Sequence, residues 1–314
     1  MARTISYREA IDEALAQELA RDESVIVMRE NNAGVTTGLF RKFPGRVLDT
    51  PTSESAFVGA AIGAATRGQR PVAEVDFMGV CFDQIFDQAA KFRYMFGGTA
   101  RTPVVIRTMY GAGAQHSQCL YPIFTHIPGL KVVVPSSPYE AKGLLIQAIR
   151  DDDPVIFCEH KALYDTSGDV PEDSYPIPFG EANVVRDGGD VTIVAFGRMV
   201  AVAEEAAKEL AGNKIEAEII DPRTTSPLDT DTILKSVGNT GRLVVVDEAS
   251  PRCNLATDIS ALVAKEAFGA LRAPIEMMTP PHTPVPFSDA LEDLYLPDAQ
   301  KVVNAAKAVV EYRR

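Results

Sequence analysis

Short apolar runs that do not alternate with polar residues recur along this chain, and helical patterns separate them. Val25-Ile-Val-Met28, Arg70-Pro-Val-Ala-Glu74, Thr102-Pro-Val-Val-Ile-Arg107, Leu130-Lys-Val-Val-Val134 and Pro154-Val-Ile-Phe157 read as buried strands. A strand that is apolar on both faces must be covered on both faces, which predicts a mostly parallel sheet between helical layers. The intervening segments supply those helices. Ser6-Tyr-Arg-Glu9 has the spacing of a capping box, and Ile11, Ala14, Leu15, Glu18 and Leu19 follow at helical intervals. Further helices are expected over Phe82–Tyr94 and Pro138–Ile149. Ala56 to Ala65 is rich in alanine and glycine, so a helix there lets another backbone approach closely.

The alternation breaks between Tyr164 and Phe179, where Gly168, Pro171, Pro176 and Pro178 stand among acids and serines. That is a linker composition. Alternation resumes with strand Val191–Phe196, a helix near Val200–Leu210, strands Ala217–Ile220 and Leu243–Val246, and a helix near Leu255–Phe268. Pro280 to Pro286 is a stiff extended stretch, because each proline fixes φ. A last helix covers Asp298–Tyr312. The 314 residues thus divide into an α/β domain over 1–165, a linker over 166–188 and a second α/β domain over 189–314.

Composition excludes some partners. With 31 basic and 43 acidic residues the formal charge is −12, which repels nucleic acid phosphates. No apolar run approaches the roughly 18–20 residues that span a bilayer. The first residues enter a polar helical pattern with no secretory signal, and the four cysteines are widely spaced without a CxxC pair. Reduced thiols and a cytoplasmic location are expected.

Searches for a GxxxxGK[ST] loop, HExxH and GxSxG find nothing. Gly111-Ala-Gly113-Ala-Gln-His116 begins like a dinucleotide fingerprint, but His116 occupies the position of the third glycine. The same segment follows a strand, where ligands bind in open α/β sheets, and gathers Gln115, His116, Ser117 and Gln118. It is equally readable as a capped loop with a surface histidine. In Asp49-Thr-Pro-Thr-Ser-Glu54, Thr52 or Ser53 can cap a helix whose first turn holds Glu54. An acid there favours the helix dipole, which is explanation enough. Alternatively Glu54 enters an apolar site, where burial raises its pKa and lets it exchange a proton with a ring nitrogen. Phe77, just after a strand, is a core residue or stacks on a flat heterocycle. His126, His160 and His282 have no metal-ligand spacing. His126 and His282 read as structural, and His160 as a supporting or subunit-contact residue. Asp151-Asp-Asp153 reads as a solvated acidic turn.

Taken together, several blocks resemble a known family. Asp49-Thr-Pro-Thr-Ser-Glu54, Asp83-Gln-Ile-Phe-Asp-Gln-Ala-Ala-Lys91, Ala114-Gln-His-Ser-Gln118, Pro128–Pro135, Ala141–Leu145 and Asp229–Gly241 look like the β subunit of thiamine-diphosphate-dependent 2-oxoacid dehydrogenases. Phe77–Cys81, Tyr110–His116, Val246–Cys253 and His282–Leu296 look most like the acetoin-cleaving branch, with pyruvate and branched-chain enzymes as alternatives.

The resemblance implies a transketolase-type pyrimidine-binding domain followed by a transketolase C-terminal domain. It implies that Glu54 hydrogen-bonds the aminopyrimidine nitrogen of thiamine diphosphate, with Phe77 stacked on the ring and Asp76 beside it. His116 would line the substrate channel and assist proton transfer or acylation of the lipoyl group. A potassium ion would rest on backbone carbonyls of Val104, Ala148, Asp151 and Asp153. This chain has no Gly-Asp-Gly motif, so Mg²⁺ and the diphosphate would be held by an α subunit. An α2β2 heterotetramer on a lipoyl acyltransferase core follows from the resemblance. The stretch between Glu74 and Phe77 is shorter than is usual in the family. Two rival readings are a split transketolase half and a purely structural subunit.

Overall fold

A computed structural model describes residues 2–30, 37–111 and 116–313. The chain forms two compact units, Met1–Tyr110 with Ile123–Phe179 and Gly111–Pro122 with Gly180–Arg314.

The first unit opens with strand β1 (Ala2–Ser6), followed by β2 (Val25–Glu30), β3 (Val47–Thr50) and β4 (Arg70–Val75). Then come β5 (Val105–Tyr110), β6 (Lys131–Val133), β7 (Val155–His160) and β8 (Ser167–Pro171). Six of these strands lie in the order β6-β7-β5-β4-β2-β3, and every adjacent pair is parallel. All six residues of β7 are buried, as a central strand covered on both faces requires. The helix Tyr7–Arg21 starts where expected. Ser6 Oγ accepts the Glu9 N–H while the Glu9 carboxylate accepts the Ser6 N–H at 2.8 Å. Ile11, Leu15 and Leu19 of this helix pack with Leu144 and Leu145 of the helix Pro138–Arg150 over Val72 and Val105 of the sheet.

Three expectations change. The supposed linker begins as β8, which pairs antiparallel with β1 from Ala2↔Pro171 to Ser6↔Ser167. Gly168 and Pro171 are tolerated there because the strand is short and has one partner. Ile177, in the same stretch, is buried against the Pro138–Arg150 helix, where Gly143 leaves room for it. The helix expected over Phe82–Tyr94 is π-wound over Gln84–Ala89, with the Ala90 N–H reaching back to Ile85, and becomes α-helical only over Ala90–Met95. Gly129, at φ +98°, closes the turn after His126. A Cβ there would meet the Ala90 carbonyl oxygen at 1.9 Å. His126 itself is exposed.

The second unit contains β9 (Asn183–Arg186), β10 (Val191–Ala195), β11 (Ala217–Asp221), a short β12 (Thr224–Ser226), β13 (Leu243–Val246) and β14 (Glu276–Met278). Its sheet runs β14-β13-β10-β11-β9, parallel except for the antiparallel edge strand β9. Neighbouring residues on a strand face opposite ways. Ile193 joins the core under the helices Arg198–Gly212 and Ala299–Glu311, while the Thr192 hydroxyl meets Ser236 and Thr240 of the helix Thr230–Thr240, each at 2.7 Å. Among the described residues no helix is long and apolar enough to cross a membrane.

Candidate functional site

Strands β2, β4, β5 and β7 place charges of alternating sign side by side. Register aligns Arg29 with Glu74 and Glu74 with Arg107 on adjacent strands. Arg29 Nη2 lies 3.2 Å from Glu74 Oε1, and Arg107 Nη1 donates to Glu74 Oε2 at 2.9 Å. The other side of the Arg107 guanidinium donates twice to Glu159, at 2.6 and 3.0 Å. Tyr164 adds its hydroxyl to the same carboxylate at 2.9 Å. Burial works against the Arg107 charge, but the two carboxylates outweigh it and hold the guanidinium firmly protonated. Desolvation pushes the nearby Asp12 carboxyl up and the Tyr164 hydroxyl well above its ordinary range.

This ladder floors a cavity of about 200 Å³ in the first unit. Glu54, Asp76, Glu30, Arg8 and Asp12 line it, together with the apolar Ile11, Phe57 and Met109. Glu54 opens the helix Glu54–Ala65 and is half-buried. Among the described residues its carboxylate has no hydrogen-bond or ion-pair partner. The surroundings are mixed rather than apolar: Arg29, Glu74 and Arg107 of three strands face the cavity together with Ile11, Phe57 and Met109. The expected cap also differs. Ser53 occupies the N-cap without a side-chain hydrogen bond, and the Thr52 hydroxyl donates instead to Glu30.

Ser55, one residue on, gives its hydroxyl to the Val80 carbonyl and ties the helix start to the turn Met78–Cys81. Phe77 precedes that turn and is half-buried. A Cβ on Gly79 would meet its ring at 2.7 Å, so only glycine leaves space there. Asp76 is exposed at the cavity's edge. Burial, and then the charge of Glu54, push the Cys81 thiol up to about 12, so this cysteine is not a nucleophile at neutral pH.

His116 belongs to the segment Gly111–Pro122 of the second unit and is exposed. Gln115 and the Ala112–Ala114 backbone lie outside the described residues. His160 is buried. Its Nδ1 accepts the Ala162 N–H at 3.0 Å, and its ring meets Tyr110 edge-on. His282 is exposed.

The four carbonyl residues lie at the opposite, amino-terminal edge of the first sheet. Val104 O accepts the Val155 N–H at 2.9 Å, Ala148 O the Asp151 N–H at 3.3 Å, and Asp151 O an Arg70 N–H at 2.8 Å. A cation here would share oxygens that already accept hydrogen bonds. The acidic turn itself is not merely solvated. Lys131 holds Asp151 at 2.7 Å, Arg70 and Arg101 hold Asp152 at 2.7 and 2.8 Å, and Arg93 pairs with Asp153. Among the described residues no group of three His, Cys, Asp or Glu side chains is arranged to hold a metal.

The structure thus gathers Glu54 and Asp76 at one cavity, sets Phe77 beside it, and carries His116 on the other unit. Sequence reasoning missed Arg29, Glu74, Arg107 and Glu159. Their one trace was a charge near the end of each apolar run, which becomes a pattern only when the strands are laid in register.

Comparison with known proteins places this architecture. Residues 3–166 match the transketolase pyrimidine-binding domain and residues 180–302 the transketolase C-terminal domain. The chain belongs to the transketolase-type family, as a β subunit of its thiamine-diphosphate-dependent dehydrogenases. It is 65% identical to the acetoin:2,6-dichlorophenolindophenol oxidoreductase subunit beta of Cupriavidus necator, covering 99% of each chain. The protein of the same description from Bacillus subtilis is 53% identical, over 97% of this chain and 96% of that one. The pyruvate dehydrogenase E1 component subunit beta of Rickettsia felis is 46% identical, over 98% and 99%. Among solved structures, a split gene transketolase described as an inactive beta4 tetramer superposes with a TM-score of 0.83 at 25% identity, covering 99% of both chains.

Proposed function

We propose that this chain is the β subunit of an acetoin dehydrogenase and holds the aminopyrimidine half of thiamine diphosphate at Glu54. The carrying observation is the Glu54 carboxylate, half-buried at a helix start, facing a cavity and lacking a partner among the described residues. Thiamine diphosphate, when bound, supplies a carbon nucleophile that attacks a carbonyl and takes up the electron pair of the breaking carbon–carbon bond. Glu54 accepts a hydrogen bond from, or lends a proton to, a ring nitrogen, which is general acid–base work for a carboxyl group. Phe77 offers the ring face and Asp76 a second carboxylate at the rim. His116 moves protons at the substrate and at the lipoyl acceptor. Acetaldehyde would leave, and the remaining two-carbon fragment would be oxidised to acetyl by the lipoyl disulfide, one sulfur taking the acetyl group and the other becoming a thiol.

The rest of the assembly belongs to the same proposal. Because the sequence lacks the family's Gly-Asp-Gly motif, Mg²⁺ and the diphosphate fall to an α subunit in an α2β2 tetramer. A lipoyl acyltransferase core receives the product, and the complex is cytoplasmic. Potassium, where present, rests on the carbonyls of Val104, Ala148, Asp151 and Asp153.

The test is co-expression with an α subunit, followed by dye reduction with thiamine diphosphate and Mg²⁺ on acetoin, pyruvate and a sugar phosphate. We expect acetoin-dependent activity that falls about a thousandfold in Glu54→Ala, the order that a positioned acid–base group supplies. Activity confined to pyruvate would move the chain to the pyruvate branch, and activity on sugar phosphates to the transketolases. Full activity in Glu54→Ala would remove the cofactor assignment.

A further inference from the structure

The segment that carries His116 is closed on itself at its start and joined to the rest of the second unit at its far end. At its start the Gly111 N–H donates to the Ser117 carbonyl at 3.0 Å, with Gly111 at φ +75°. Ser117 is buried, while His116 next to it is exposed. At its far end the buried Tyr121 donates its hydroxyl to the carboxylate of Asp247. The Tyr121 ring also lies 6.0 Å from that of Phe196, which follows β10.

Asp247 is fully buried, one residue beyond β13. An ionised carboxylate in that position is costly unless its oxygens are hydrogen-bonded. Burial pushes this carboxyl up, and four donors work against it: Tyr121, the Ala249 N–H at 2.9 Å, the Leu255 N–H at 3.2 Å and the Ala256 N–H. Leu255 begins the helix Leu255–Glu266. One carboxylate therefore joins the end of a central strand, the start of a helix and the His116 segment. The first two joints are to backbone; the third depends on a single side-chain hydroxyl.

We infer that Tyr121 and Asp247 are positioning residues for His116, setting where the segment holds the imidazole without touching substrate themselves. The inference rests on the role given to His116 above. Loss of the Tyr121 hydroxyl removes the segment's hydrogen bond to Asp247 while leaving the ring against Phe196 and the backbone bonds to Asp247 in place.

The test uses the co-expressed holoenzyme with His116→Ala, Tyr121→Phe and the double variant, each read for acetoin kcat, KM and the pH profile of kcat/KM. Tyr121→Phe is expected to lower kcat about tenfold, the order carried by a hydrogen bond to a charged group. It should also flatten the same pH limb that His116→Ala flattens. The double variant should be no slower than His116→Ala, because residues acting through one another do not add. An unchanged pH limb in Tyr121→Phe, or losses that multiply in the double variant, would overturn the inference and leave the role of His116 standing. A His116→Ala enzyme equal to wild type removes that role first and this inference with it. Asp247→Asn, which turns one acceptor into a donor, is read in the same way if Tyr121→Phe does not assemble.

Discussion

The first sheet sets full charges beside one another across four strands and opens onto a cavity, whereas the second meets Thr192 with hydroxyls and holds the buried carboxylates at its strand ends, Asp221 and Asp247, on backbone donors and a tyrosine hydroxyl. Both sheets are mostly parallel and both are covered by helices, so architecture does not demand the difference. A buried ion ladder is rarely the cheapest way to stabilise a core, since desolvating the charges offsets much of their attraction. Hydroxyl pairs carry less cost and less consequence. The charges lie beside Glu54 at the cavity of the first unit, where the proposed cofactor contact falls, while the polar joints of the second unit are hydroxyl and backbone bonds.

The largest effect that can break this contrast is expected at Arg107. Arg107→Met leaves Glu74 and Glu159 facing each other without their shared cation. Breaking a buried pair in this way costs about 3–5 kcal/mol. Urea unfolding of the variant at neutral pH should show a loss of that order. A loss below about 1 kcal/mol, the range of exposed ion pairs, would mean the ladder is solvated and the two sheets alike.

Thr192→Val comes next. It removes the hydroxyl shared by Ser236 and Thr240 and should cost about 1–2 kcal/mol in the same titration. Holoenzyme affinity for thiamine diphosphate should stay at the wild-type value. A weakened cofactor would show that the second unit shapes the site directly.

The smallest effect is at Asp229, which caps the helix Thr230–Thr240 through the Thr232 N–H at 3.0 Å and also accepts the Ala182 N–H at 2.9 Å. Burial pushes its pKa up, but these donors outweigh burial and hold it below the ordinary range. Asp229→Ala should cost about 1 kcal/mol at neutral pH. Because the folded value lies below the unfolded one, the contribution is complete above about pH 4 and is lost as the pH falls through the folded value. Wild type and variant should therefore converge in acid. A gap that persists there would assign the cap to packing rather than charge.

How far the sequence could be read follows from what each feature depends on. β2, β4, β5 and β7 were legible because a strand buried on both faces must be apolar throughout. β3, β9, β12 and β14 were not, being three or four residues long and in part polar. The helix start at Glu54 was legible from its local pattern, although Ser53 does not cap it, while the role expected of Glu54 came from the family resemblance. The charge ladder was invisible because Arg29, Glu74, Arg107 and Glu159 become neighbours only through strand register. The Tyr121–Asp247 joint spans 126 positions along the chain and has no local pattern at all.

The pairing of β1 with β8 closes the first unit upon itself, since its opening residues are hydrogen-bonded to the strand that follows its last buried one. The stretch that leads out of the first unit is thus anchored before it leaves, by strand pairing at β8 and by Ile177 in the core. The clasp makes the two ends of the unit interdependent: fraying at β1 would strip β8 of its one strand partner and loosen the exit of the chain.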